Sequence, residues 1–148
     1  MKFILIILSF IILSSCKTTE PLKLTQSGKA EGTFKDTNID DVSNLLISEL
    51  CINEGMLVVE QSKNLIHCAG QMGIFEGALW QSFLTGSYGT TPESNVLFSM
   101  YVKGNDVNVV VQQYVTSQNF FGKTERAELD TQENINLQQQ ALYDIGAL

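Results

Sequence analysis

The chain has 148 residues, 16 of them acidic and 9 basic, and its formal net charge at pH 7 is −7. A chain of this length holds one domain. This acidic balance argues against nucleic acid, which requires a basic patch to displace counterions from phosphates, and against electrostatic docking on anionic lipid headgroups.

The first fifteen residues have the order of a secretory signal. Lys2 gives a short positive start, residues 3–13 form an apolar run broken only by Ser9, and two serines follow. The apolar run is too short to span a bilayer core, which needs about 20 residues. We therefore predict a signal peptide over residues 1–15.

The signal ends in Leu13-Ser14-Ser15-Cys16, which resembles the lipobox of bacterial lipoproteins. The resemblance implies cleavage before Cys16, a diacylglycerol on its thiol, and an N-acyl chain such as palmitate on its new amino group. No other cofactor is expected. By resemblance to enterobacterial sorting rules, Lys17 after the cysteine favours the outer membrane, facing the periplasm. The alternatives are an ordinary secretory signal that leaves a free thiol, and an uncleaved anchor, which the short apolar run disfavours.

Residues 16–36 are rich in Thr, Lys, Gly and Ser and show no sustained hydrophobic period. This composition predicts a flexible tether with a reach of about 25 Å, which would lift a domain off a membrane surface. The stretch from Ala30 to Phe34, near its end, is a candidate edge strand. We expect residues 37–148 to form a single globular α+β domain.

A first helix is predicted after the tether, with Thr37 or Asn38 as its cap and Gly55 beyond its end. Its apolar residues recur at steps of three and four, which is typical of an amphipathic helix. They are Ile39, Val42, Leu46 and Leu50.

Two β-hairpins are predicted. The first pairs Met56 to Gln61 with Leu65 to Ala69, and the second pairs Val96 to Val102 with Val107 to Thr116. The second is the stronger signal because Gly104, in its turn, tolerates positive φ.

Between and after the hairpins the signals are weaker. Residues 71–84 carry apolar residues at helical spacing and predict a second helix, and residues 85–95 read as a loop. Residues 117–129 are polar and irregular, with residues 120–122 (Phe-Phe-Gly) expected to anchor them against the core. A final helix is predicted over 131–146, capped by Asp130, with Glu133 where a capping box places its acid.

These elements predict an α+β fold: an antiparallel sheet of about four strands in two hairpins, with helices packed on one face. The element order is similar in outline to helix-grip domains found in some outer-membrane assembly lipoproteins. That likeness is architectural alone, and architecture does not assign a function.

Topology brings two cysteines together. Cys51 ends the first predicted helix, and Cys68 lies near the end of a strand that returns beside it. Because disulfides persist outside the cytosol, we predict a Cys51–Cys68 bond. The alternative is two buried free thiols.

Metal and catalytic sites find little support in the sequence. His67 is the only histidine, and neighbours on a strand point to opposite faces, so His67 and Cys68 cannot face one zinc ion together with Cys51. No motif of a nucleophile elbow or a P-loop is present. We expect no metal and no enzymatic activity.

Two function classes remain open. The first is a non-enzymatic accessory or binding module of the cell envelope, held on the membrane by its lipid and bound to an envelope protein. The second is a small envelope inhibitor or exclusion factor, for example one encoded on a mobile element, that blocks an envelope enzyme or receptor. Trp80 and Tyr88 are candidate contact residues, with core packing as the alternative.

Overall fold

The computed structural model of the protein describes residues 19–72 and 90–148. The predicted signal peptide, Cys16, the predicted helix from residue 73 onward, and both Trp80 and Tyr88 lie outside these ranges. In chain order the elements are β1 (Ala30–Phe34), α1 (Ile39–Leu46), a π-helical turn (Ile47–Ile52), β2 (Leu57–Gln61), β3 (Leu65–Gln71), β4 (Glu93–Lys103), β5 (Asp106–Gln118), β6 (Thr124–Glu128) and α2 (Gln132–Asp144).

The fold is α+β, and its sheet has six strands rather than about four. The strand order is β1-β5-β4-β3-β2, and every neighbouring pair is antiparallel. β1 pairs with the first half of β5 and β6 with its second half. The two short strands therefore lie end to end along one edge of β5.

One face of the sheet carries the core. Val109 is opposite Met100 on β4, Val111 is opposite Phe98, and all four side chains are buried. Both helices contribute to the same buried cluster, α1 through Leu46 among others and α2 through Leu142. Strand alternation sends every second residue of β3, β4 and β5 to the other face.

Local sequence explains the start and end of α1. Asn38 caps the helix, with its Oδ1 accepting a hydrogen bond from the Asp41 amide at 2.9 Å, as predicted. The chain then continues through the π-helical turn, and Gly55 at φ 73° lies just beyond it. A residue with a Cβ would be strained at that dihedral angle.

The structure lengthens β4 at its start and adds β6. β4 begins at Glu93 instead of Val96, so the end of the predicted loop is strand. The added residues are polar, but their main chains continue the ladder, with Asn95 opposite Tyr114 on β5. β6 was predicted as irregular chain, and its pairing with β5 makes it a strand.

The final helix begins later than predicted. Thr131, not Asp130, is its cap, and the Thr131 Oγ1 accepts from the Asn134 amide at 3.4 Å. Glu133 is therefore the second helical residue rather than the third, where a capping box requires its acid.

Candidate functional site

The predicted disulfide is present. Cys51 in the π-helical turn is bonded to Cys68 on β3, with a Cα–Cα distance of 5.9 Å, and both side chains are fully buried. The bond fixes the end of the first helical segment to the core face of the sheet. Its contribution is structural, since neither sulfur is accessible.

His67 lies on the face of the sheet opposite the core. Its Nε2 is 2.9 Å from Asn95 Oδ1 and 3.4 Å from the Tyr114 hydroxyl. The Asn95 amide nitrogen donates to Thr116 Oγ1 and to the Glu93 carbonyl, which leaves its oxygen facing the imidazole. This network assigns the proton to Nε2, so that the ring donates to the amide oxygen.

The described contacts of His67 do not include a catalytic pair. With the proton on Nε2 the acceptor nitrogen is Nδ1, and the described hydrogen bonds join Nε2 to an amide and a phenol rather than to a serine, a cysteine or a carboxylate. Within residues 19–72 and 90–148, no group of three or more His, Cys, Asp or Glu side chains is placed to hold a metal ion. Hydrogen bonds to neighbouring side chains of the sheet therefore account for the position of His67.

The same face continues into β6 through Arg126. Its guanidinium lies 3.5 Å from the centroid of the Tyr114 ring and pairs with Glu128 at 2.6 Å. Burial, the largest influence on the pKa of Glu128, raises it, but hydrogen bonds from Gln112 and Arg126 outweigh burial and hold that pKa below its ordinary value. The centre of this face is therefore a polar network that is satisfied within the protein.

An open cleft of about 470 Å³ lies where β3 and β5 end and β4 begins. Hydroxyl and amide groups dominate its lining, and Glu93 is the charged side chain among the described lining residues. Ser117 Oγ donates to the Thr90 carbonyl across this cleft. Such a lining offers hydrogen bonds but no pair of convergent carboxylates, which glycoside hydrolysis would require.

Exposed apolar side chains are the more distinctive surface feature. Phe120 and Phe121 occupy the turn between β5 and β6 and are 78% and 89% exposed. The prediction that they anchor this segment against the core is wrong. Because β6 pairs with β5, residues 119–123 form a hairpin turn at the end of the sheet, beyond the reach of the core.

A further exposed apolar pair, Leu22 and Leu24, lies on the segment before β1. This segment is held along α2 by Asn136, which donates to the Glu20 carbonyl at 2.7 Å and accepts from the Leu22 amide at 2.8 Å. The chain is therefore attached to the body of the domain from Glu20 onward.

No known protein family, no curated protein and no solved structure matches this chain. In the described part of the chain, no helix is long and apolar enough to cross a membrane.

Proposed function

We propose that the protein is a cell-envelope lipoprotein: a non-enzymatic accessory or binding module, anchored by acyl chains on Cys16 and facing the periplasm from the outer membrane. The observation that carries the proposal is the run Leu13-Ser14-Ser15-Cys16 directly after a short apolar segment. Three acyl chains would make the attachment effectively permanent, since one chain alone gives only marginal binding.

Two features of the described residues support this proposal. The Cys51–Cys68 bond is of the kind that persists in an oxidising compartment such as the periplasm. The described hydrogen-bond partners of His67, the only histidine of the chain, are an amide and a phenol rather than a serine, a cysteine or a carboxylate, which favours a binding role over catalysis.

The anchor is tested by processing and acylation in a bacterial host. We expect the parent chain to incorporate labelled palmitate and to shift to the mass of the processed form. Globomycin, which blocks the lipoprotein signal peptidase, should leave the unprocessed precursor, and Cys16→Ala should leave a precursor without label.

The matched control is Cys51→Ala with Cys68→Ala, which removes two other cysteines and should leave labelling unchanged. Processing that is unaffected by both globomycin and Cys16→Ala would overturn the proposal. Crosslinking in envelope fractions then tests the binding role, for which we expect a stoichiometric complex with an envelope protein.

A further inference from the structure

The turn between β5 and β6 presents two adjacent aromatic rings to solvent. We call Phe120 and Phe121, carried by the turn of residues 119–123, the Phe apex. Their ring centroids are 5.5 Å apart in an edge-to-face arrangement. Single exposed apolar residues are ordinary on protein surfaces, but two large ones side by side on a projecting turn mark a contact site.

Four of the five main-chain amides of this turn, those of residues 119 and 121–123, are hydrogen-bonded within it. Asn119 Oδ1 accepts from the amides of Phe121 and Lys123, both at 3.0 Å. Gly122 donates to the Asn119 carbonyl and Asn119 to the Lys123 carbonyl, each at 2.9 Å. An unsatisfied main-chain amide is costly in hydrocarbon, so this internal bonding suits entry into lipid.

Charge around the Phe apex is also compatible with lipid. Residues 119–123 contain no carboxylate, and their one cation, Lys123, pairs with Glu125 at 2.9 Å. A lysine in this position can lay its stem along the apolar region while its ammonium stays among the headgroups. The flanking Gln118 and Thr124 are polar and exposed, so the apolar surface is confined to the two rings at the tip of the turn.

The segment that leads back to Cys16 is attached to α2, which packs beside the strand that carries the Phe apex. Glu20 is bonded to Asn136 in the first half of α2, and Gln138, two residues further along the helix, reaches Gln113 of β5. From Gln113 to Gln118, where the turn begins, the strand covers about 17 Å. Cys16 precedes Glu20 by four residues, which span at most about 14 Å.

We propose that the Phe apex inserts into the acyl-chain region of the same bilayer that holds the lipid on Cys16, and so orients the domain on the membrane. This inference rests on the proposed function. Two phenylalanines alone give weak partitioning, but the anchor makes their insertion an intramolecular event at high effective concentration. Because apolar burial drives it, insertion occurs on zwitterionic lipid and is insensitive to salt.

The test is tryptophan quenching in vesicles. The acylated full chain is reconstituted into phosphatidylethanolamine vesicles that contain phosphatidylcholine brominated on its acyl chains. Phe121→Trp is compared with Leu57→Trp, a matched control on β2 at the opposite edge of the sheet, where the native side chain is 76% exposed. The parent chain supplies the baseline because it contains a single tryptophan.

We expect quenching above the baseline at position 121 to exceed that at position 57 several-fold, with blue-shifted emission that persists in 0.5 M salt (about a 4 Å Debye length). Phe120→Trp should show the same excess quenching and the same blue shift of its emission. Equal, solvent-like emission at positions 121 and 57 would overturn the inference. So would shielding of position 121 that arises only when envelope proteins are added, since the Phe apex would then bind protein.

Mass spectrometry of the same sample separates the two proposals. A chain without acyl groups refutes the lipid anchor on Cys16, while quenching at position 121 by added vesicles still reports on the Phe apex. An acylated chain whose residue 121 is not quenched retains the anchor and refutes insertion.

Discussion

Gly32 lies where the end of the chain crosses β1, and the site has no room for a side chain. A Cβ at this position would lie 2.7 Å from the Cβ of Ala147 and 3.2 Å from the Cδ1 of Leu142. Both neighbours belong to the buried core cluster. We therefore expect Gly32→Ala to lower the free energy of unfolding by about 1–3 kcal/mol, the usual cost of overpacking, as measured by urea denaturation.

The contact with Ala147 can be isolated by a double-mutant cycle. Ala147→Gly removes the methyl group that the new Cβ would meet, so Gly32→Ala should cost less in that background. An equal loss of stability in both backgrounds would show that the crowding lies elsewhere.

Asp106 should titrate below its ordinary pKa. Lys35 Nζ bonds to its Oδ2 at 2.6 Å, and the Asp36 amide donates to its Oδ1 at 3.3 Å. The hydrogen bond from Lys35 is the largest cause of the lowered pKa of Asp106, followed by that from the Asp36 amide, while slight burial opposes both. Because the folded pKa is below 3.8, the ionised carboxylate stabilises the fold above pH 3.8, and this contribution is lost as the pH falls through the folded value.

NMR titration of the Asp106 carboxyl tests this pair directly. We expect Lys35→Gln to raise the pKa of Asp106 toward 3.8. Lys123→Gln, which breaks the ion pair with Glu125 instead, is the matched control and should leave Asp106 unchanged. A pKa of Asp106 that is unaffected by Lys35→Gln would contradict the assigned cause.

Among the elements, those with strong local signals could be predicted from sequence. The β4–β5 hairpin follows from the alternation of Val107, Val109 and Val111 and from Gly104, which has φ of 66° in the turn. The start of α1 follows from the cap at Asn38. In each case residues a few positions apart carry the information.

β6 could not be predicted in the same way. Its sequence, Thr-Glu-Arg-Ala-Glu, has no apolar face, so it lacks the alternation of apolar and polar residues that predicts a strand. The main-chain ladder to β5 and the stacking of Arg126 on Tyr114 hold it, and both depend on the neighbouring strand rather than on the pattern of β6 itself. Without β6, the sequence predicts that Phe120 and Phe121 pack against the core. The hairpin of β5 and β6 places them in an exposed turn instead.

The way in which the edges of the sheet are covered also depends on contacts between residues far apart in the sequence. Gln139, which reads as a polar helix residue, is almost fully buried and bonds to both the amide and the carbonyl of Glu31 on β1. Leu148 bonds in the same way to Thr33. β2, at the opposite end of the strand order, carries an irregularity at Val59 instead, which discourages edge-to-edge pairing.

At the scale of the whole molecule, one part of the candidate site, the disulfide, could be predicted from the sequence. The topology of the first hairpin alone places Cys68 beside Cys51. Among the described residues, this covalent bond is the strongest single constraint on the conformations that the unfolded chain can adopt. α1 has eight residues and is too short to be stable in isolation, so it depends on packing against the sheet and on this covalent link.

Breaking this bond should weaken the fold as a unit. It closes a loop over a separation of 17 residues, for which the chain-entropy relation gives about 3 kcal/mol. We expect Cys51→Ala with Cys68→Ala, or reduction of the parent chain, to lower the free energy of unfolding in urea by about this amount. Reduction should leave the double variant unchanged, and Cys16→Ala should retain the full response because it leaves the bond intact. If a parent chain shown by mass to be reduced unfolds at the same urea concentration as the oxidised chain, the bond does not stabilise the domain, and noncovalent packing alone holds α1 on the sheet.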